Sequence, residues 1–237
     1  MVAVMTSQAE MVGNFIAMLE QSTADEREDG QLAYFLYRDI LSRWAQLYDF
    51  PLDNVVAAFC ALSPNNDYYG NLRSLTSLLE GIRKGYSVEQ ITVSTYGSAK
   101  RRAHRFALGS PRLFMAETRG PKTRAFYHNI LYPETSDLVT VDGHVSAASL
   151  GLSAKHTMRE AAVSSKGLYH RISMAIEQIA RVMHWRPHQV QATVWLTRKR
   201  LLGIKSSPQF DFFRGKNGMR ITPQEAPAYQ IKGVRGA

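Results

Sequence analysis

The stretch LFMAETRGPKTRAF, residues 113–126, bears most directly on the fold, because it predicts two helices separated by a sharp break. The apolar residues at its start fit a short helical turn that ends near Glu117. Gly120 and Pro121 interrupt that turn. Proline suits the first position of a helix, since its fixed φ is helical and its missing N–H would go unbonded there in any case. A second helix is therefore predicted over residues 121–132.

Apolar positions recur at helical spacing along most of the rest of the chain. The predicted helices cover residues 31–48, 52–62, 68–80, 98–108, 156–163, 166–184 and 187–201. Asp142 is predicted to cap a further helix that begins near His144. Residues 91–93, with the sequence ITV, are the only candidate strand and stand alone. Helices with short connections and no series of strands predict an all-α fold.

The charge of the chain favours a polyanionic partner. The formal net charge is +9 and the isoelectric point is about 9.7. Residues 97–124 contain a single acid, Glu117, against eight basic residues: Lys100, Arg101, Arg102, Arg105, Arg112, Arg119, Lys122 and Arg124. Such a surface suits DNA phosphates, although a run of charge is more often only a solvated helix face.

Several functional classes are disfavoured by what the sequence contains. The single cysteine, Cys60, excludes an intramolecular disulfide and a four-cysteine iron–sulfur cluster, and its apolar neighbours predict a buried side chain. No apolar run is long enough to span a membrane, and the N-terminus has no signal-peptide pattern. We expect a soluble, cytoplasmic monomer with no cofactor. No metal site is expected either, because Pro187 lies between His184 and His188, the one closely spaced histidine pair considered, and disfavours a shared helical face.

Three segments, taken in order, resemble the helix-hairpin-helix DNA glycosylases of the endonuclease III and 8-oxoguanine glycosylase type. The first is LSPNND with Asn71, in residues 62–71, and the second is YGSAKRRA at 96–103. The third spans residues 120–151 and contains GPKTRA, VTVDGHV and a leucine–glycine pair. It is similar to the end of the family's hairpin with its catalytic lysine, followed by the segment with its catalytic aspartate.

The resemblance implies an all-helical, two-lobed fold with a cleft between the lobes, and a double-stranded DNA partner. It implies that Lys122 is the nucleophile that displaces a flipped base, with strand cleavage to follow, and that Asp142 stabilises the charge developing on the sugar. Residues 31–203 would form this domain, after an N-terminal segment 1–30 and before a basic, partly irregular tail 204–237. DNA contacts are then expected from Asn65, Asn66, Lys100, Arg101, Arg119, Gly120 and Arg124.

The chain departs from the family pattern at the hairpin. The family's Leu-Pro-Gly-Val-Gly is replaced by AETRG at residues 116–120, so only the last glycine remains. Gly143 stands where the family has a threonine after the aspartate. Two alternatives therefore stay open: a catalytically inactive DNA-binding module of the same fold, and a DNA base-modifying transferase.

Overall fold

The computed structural model describes residues 6–64, 68–151 and 166–204, and every regular element in them is a helix. The prediction of an all-α fold is confirmed for these residues, and Ile91-Thr92-Val93 forms no strand. The helices are α1 (Gln8–Glu20), α2 (Ala24–Tyr48), α3 (Leu52–Leu62), α4 (Tyr68–Arg83), α5 (Gly97–Leu108), α6 (Pro111–Glu117), α7 (Pro121–Leu131), α8 (Gly143–Ser149), α9 (Lys166–Met183) and α10 (Pro187–Leu201). The predicted helix 156–163 lies outside the described residues.

The chain divides into two compact units. The first contains the described residues of Met1–Tyr34 and Tyr132–Ser206, and the second contains Phe35–Leu131. Helix α2 contributes its first part to the first unit and the remainder to the second.

The first unit is built on a core shared by α1, α8, α9 and α10. Helix α1 inserts Phe15, which is fully buried, together with Met11 and Met18. The sequence predicted no helix before residue 31, because this segment looks polar and acidic overall. Its four buried apolar positions nevertheless form one stripe, which the core of the unit covers.

The second unit is organised around α3, which packs against α4, α5, α6 and α7. Every residue of α3 from Asn54 to Leu62 is buried, as expected for a helix that is apolar on all sides. Cys60 is one of these residues and is fully buried, which confirms its predicted place in the core. The Asn54 amide donates to the carbonyls of Ala107 and Gly109, so this buried polar group satisfies the end of α5.

Helix α4 is longer than the sequence predicted. We expected it to stop at Gly81, but it continues to Arg83. Gly81 serves close packing instead, because a Cβ there would lie 2.5 Å from Ile91 Cγ1. The chain turns away from the helix axis at Gly85, two residues after Arg83, where φ is +73°. Gly85 N–H donates to Ile82 O, and Tyr86 N–H donates to Gly81 O. This pair of bonds is the Schellman arrangement, for which glycine is preferred.

A substitution in α2 tests the packing of the first unit. A methyl group on Gly30 would lie 2.1 Å from Thr193 Oγ1 and 2.7 Å from Thr193 N, on α10. Because backbone atoms are involved, the helices must move apart, and Gly30→Ala is expected to lower the free energy of unfolding by about 1–3 kcal/mol. The measurement is chemical denaturation followed by circular dichroism.

Gly13→Ala in α1 is the matched control. A Cβ at Gly13 meets nothing within 4 Å, so this substitution should raise the free energy of unfolding by about 0.5–1 kcal/mol, the usual gain in a helix interior. Equal stabilities of the two variants would show that α2 and α10 do not approach so closely.

Candidate functional site

Asp142 is held by hydrogen bonds to both of its carboxylate oxygens. It is the N-cap of α8, as predicted, and its Oδ1 accepts from the backbone N–H groups of His144 and Val145, each at 2.9 Å. Its Oδ2 accepts from the indole Nε1 of Trp195 at 2.8 Å. The side chain is half-buried. A carboxylate with donors on both oxygens has a fixed orientation, which is what charge stabilisation at a reacting atom requires.

Tyr169 anchors the segment that leads into Asp142. Its hydroxyl donates to Val139 O at 2.6 Å and accepts from Val141 N–H at 3.3 Å. Burial is the main reason that the pKa of Tyr169 rises to about 12, and the nearby charge of Asp142 adds to the rise. Val139 and Val141 are themselves buried in the core of the first unit. The backbone before Asp142 is therefore tied to α9 although it belongs to no helix.

Two side chains of α10 complete the surroundings of Asp142. Besides Trp195, Lys199 lies one helical turn further on, with its Nζ 4.3 Å from the centre of the Trp195 ring. The His144 ring meets the same indole edge to face, with 6.1 Å between centroids. Trp195 was not among the site residues predicted from the sequence. The available signal was the spacing of four residues between Trp195 and Lys199, which places both on one helix face.

Lys122 lies in the first turn of α7, in the second unit, and is half-buried. Phe126 follows four residues later on the same face of the helix. The positive charge of Lys122 acts on the buried Cys60 thiol of α3, where it opposes the strong rise in the pKa of Cys60 that burial causes. These relations indicate that Lys122 lies on the side of α7 that meets α3.

An aromatic cluster lies on that same side. Tyr37, on α2, is at its centre, with its ring 5.6 Å from the rings of Tyr68 and Phe126 and 5.9 Å from Phe59. Tyr37 and Phe126 are half-buried, whereas Phe59 is fully buried. Tyr127, another aromatic residue of α7, is buried and stacks instead on Phe114 at 4.2 Å.

Helices α6 and α7, predicted on either side of the break at Gly120 and Pro121, are joined by three residues, Thr118, Arg119 and Gly120, and are together called the α6–α7 hairpin. Arg119 and Gly120 are exposed. Arg124 Nη2 donates to Met115 O at 2.8 Å and so bridges α7 back to α6. A Cβ on Gly120 would meet only Thr123 Oγ1, at 4.0 Å, so packing within the chain does not require glycine here.

The other predicted DNA contacts differ in their surroundings. Arg101 is exposed on α5. Lys100 is half-buried, and its ammonium donates to Ile91 O at 2.8 Å, so part of its role is to hold the segment before α5. Glu117, the acid within the basic stretch, pairs with Arg105. Asn65 and Asn66 lie outside the described residues. The α6–α7 hairpin of the second unit thus contains four of the predicted site residues: Arg119, Gly120, Lys122 and Arg124. Asp142 belongs to the first unit.

Two further kinds of feature, membrane-spanning helices and clusters of metal ligands, are not found among the described residues. None of their helices combines the length and the apolar character that a membrane crossing demands. Within the same residues, no group of three or more histidine, cysteine, aspartate or glutamate side chains is arranged to hold a metal ion.

Comparison with known proteins identifies the class to which this chain belongs. A family model described as "Family of unknown function (DUF7178)" matches residues 2–201. The chain belongs to this family. No curated protein and no solved structure gives a significant match.

Proposed function

We propose that this protein is a DNA base-excision enzyme that cleaves the N-glycosidic bond of a flipped nucleotide. The neutral amine of Lys122 attacks C1′ of the deoxyribose, and the base leaves with the bonding electron pair and takes up a proton. The bound amine passes a proton to O4′ as the C1′–O4′ bond breaks and the sugar ring opens, and the resulting protonated imine permits strand cleavage by elimination. Asp142 stabilises the positive charge that develops on the sugar.

The observation that carries this proposal is the carboxylate of Asp142, oriented by two backbone N–H groups and one indole N–H. Capping alone uses only Oδ1. The additional bond to Oδ2 comes from a different helix, α10, and holds the carboxylate in one plane. Preorganised charge of this kind stabilises a cationic transition state without the cost of reorienting dipoles during the reaction.

The basic residues of the second unit support a DNA partner. Arg101 and Arg102 are exposed on α5, and Arg112 and Arg119 are exposed at or beside α6. The acid nearest to them in sequence, Glu117, is paired with Arg105. Exposed guanidinium groups with little opposing charge suit phosphate binding, which releases counterions and weakens as salt rises.

The aromatic cluster beside Lys122 supports a role in holding the extruded base. A flipped base is normally stacked against aromatic or apolar side chains while its edge is hydrogen-bonded. Tyr37 and Phe126 are half-buried members of the cluster, so neither residue is fully withdrawn from solvent. We assign them the stacking role, whereas the buried Tyr127 is a core residue.

The test of the proposal is reductive trapping. The full-length protein is incubated with borohydride and duplexes that contain an abasic site, uracil, 8-oxoguanine or an oxidised thymine, and covalent adducts are resolved by gel electrophoresis. The reduced imine should appear with abasic DNA and with at least one modified duplex, together with free base. Absence of both base release and adduct over the whole panel would exclude the base-excision activity.

A separate prediction concerns Gly120. A Cβ at this position would enter open space, with only Thr123 Oγ1 at 4.0 Å, so in the proposed complex a phosphate can approach the backbone N–H closely. Gly120→Ala keeps that N–H but fills the space with a methyl group, and it is expected to weaken binding to a duplex at fixed low salt by roughly 10-fold, the effect of displacing one hydrogen bond to a charged group. The free energy of unfolding should change by less than about 1 kcal/mol. Fluorescence anisotropy and chemical denaturation measure the two quantities.

Gly13→Ala is the control for binding, because Gly13 belongs to the other unit and its Cβ would be equally free. This variant should bind the duplex like the unmodified protein. Unchanged affinity of Gly120→Ala would show that the hairpin does not hold a phosphate at this residue.

A further inference from the structure

Asp142, Trp195 and Lys199 form a row of interacting side chains within the first unit. The indole N–H of Trp195 donates to Asp142 Oδ2 at 2.8 Å, and Lys199 Nζ lies 4.3 Å from the centre of the same ring. Trp195 is half-buried, and only 7% of Lys199 is exposed. The row runs from the N-cap of α8 to the last turns of α10.

Each contact in this row is an electrostatic interaction, which the packing of apolar side chains alone would not produce. An indole has a single hydrogen-bond donor and no acceptor, and here that donor meets a carboxylate. A hydrogen bond to a charged oxygen is roughly twice as strong as one between neutral groups. The remaining face of the ring attracts the ammonium of Lys199 through the negative charge of its π-system.

The burial of Lys199 is compensated by its neighbours. Burial is the main influence on this side chain and lowers the pKa of Lys199, whereas the charge of Asp142 opposes that shift. Removing an ammonium from water is unfavourable unless charge or a polarisable ring replaces the lost hydration. Asp142 supplies the charge and Trp195 supplies the ring. The ammonium of Lys199 and the carboxylate of Asp142 therefore hold the indole between them.

We propose that Trp195 is a positioning residue for Asp142, and that Lys199 keeps the indole in place. The backbone of α8 holds Oδ1, but small coupled rotations about the Cα–Cβ and Cβ–Cγ bonds could still swing Oδ2 while Oδ1 stays near its donors. The indole N–H restricts that motion because it holds Oδ2 as well. The catalytic consequence rests on the proposed base-excision activity, but the positioning itself does not depend on it.

Nuclear magnetic resonance of the indole groups tests the positioning directly. The chain has three tryptophans, so a ¹⁵N-labelled sample gives three indole N–H signals, one of which disappears in Trp195→Phe. Asp142→Asn keeps a side chain that can cap α8, but it places either an amide N–H₂ group or an uncharged carbonyl oxygen opposite the indole N–H. In both cases the hydrogen bond from the indole is lost or weakened. The Trp195 proton signal should then move upfield by several tenths of a part per million.

Trp44 and Trp185 are internal controls in the same spectra. Trp44 donates to Thr76 Oγ1 in the second unit, and Trp185 lies in the middle of the α9–α10 connection, so neither signal should move with Asp142→Asn. An unmoved Trp195 signal would overturn the proposal.

Kinetics provide the second readout. Trp195→Phe keeps an aromatic ring without the N–H, and it is expected to lower kcat for base release by roughly 10- to 100-fold with little change in KM, which is the loss of one hydrogen bond to a charged group. Trp185→Phe should have the same kcat and KM as the unmodified protein.

If base release is normal in Trp195→Phe, the positioning role is wrong although the enzyme assignment stands. If the unmodified protein releases no base, the enzyme assignment is wrong and the indole spectra still decide the positioning.

Discussion

Replacing Lys122 with alanine is expected to abolish the borohydride-trapped adduct with abasic DNA while leaving duplex affinity within about 3-fold. The amine supplies the nitrogen of the imine, so no reducible bond forms without it: amine and aldehyde condense with loss of water, and hydride converts the product to a stable secondary amine. The proposed DNA-binding surface consists mainly of the exposed arginines of α5 and of the α6–α7 hairpin, so one half-buried amine should contribute little to affinity. Denaturing gel electrophoresis and anisotropy measure the two effects.

Two further variants make this result specific. Lys122→Arg retains the positive charge but not the nucleophile, so it should also fail to trap, with affinity equal to that of the unmodified protein. Lys84→Ala removes an exposed lysine at the end of α4 and should trap normally. A persistent adduct in Lys122→Ala would identify another amine as the nucleophile, and mass spectrometry of the trapped peptide would locate it.

Asp142→Asn is expected to slow base release by about 10²–10⁴-fold without a comparable loss of DNA affinity. In the proposed mechanism the carboxylate acts on positive charge that exists only as the base departs, so its removal should affect the transition state far more than the bound ground state. The amide that replaces it can still accept from the backbone N–H groups of His144 and Val145, so the start of α8 should remain intact. Single-turnover rates of base release measure this effect.

The reaction of abasic DNA separates the two roles. This substrate has no base to lose, so Asp142→Asn should still form the trapped adduct through Lys122, at a rate reduced far less than base release. Equal losses for both substrates would place Asp142 in imine formation as well. An unaffected rate of base release would remove Asp142 from the mechanism.

Failure of every one of these reactions would favour one of the remaining alternatives. An inactive DNA-binding module would still show salt-dependent duplex binding through Arg101 and Arg119, with no covalent chemistry. A base-modifying transferase would add mass to a modified duplex in the presence of a small amine donor. Intact-mass spectrometry of the DNA distinguishes these outcomes.

The helices with strong local signals were predictable from sequence. The predicted bounds of α3 and α10 agree with the structure, and Asp142 caps α8 as predicted. In α10, Pro187 occupies the first turn, where its missing N–H has no consequence. Each of these signals acts within one turn of the chain, so it does not depend on the rest of the fold.

Signals that depend on a distant partner were misjudged. Gly81 looked like a helix end, but it lies inside α4 because Ile91 packs against it. Helix α1 was missed because the polar composition of its surroundings obscured a narrow apolar stripe that only the core of the first unit reveals. The hairpin arginines and Lys122 could be nominated from charge and resemblance, but the pairing of Glu117 with Arg105 could not.

The amino-acid sequence alone was sufficient for the all-helical class and the basic stretch, whereas the resemblance to a known family nominated Lys122 and Asp142 as catalytic residues. The first two properties follow from residue type, short-range spacing and capping, which the local chain carries regardless of its environment. Tertiary structure decided the surroundings of those residues. Trp195 and Asp142 are 53 residues apart, and their hydrogen bond exists because α8 and α10 pack together in one core. No local pattern encodes such a contact, since its geometry is set by the burial of apolar side chains elsewhere in both helices.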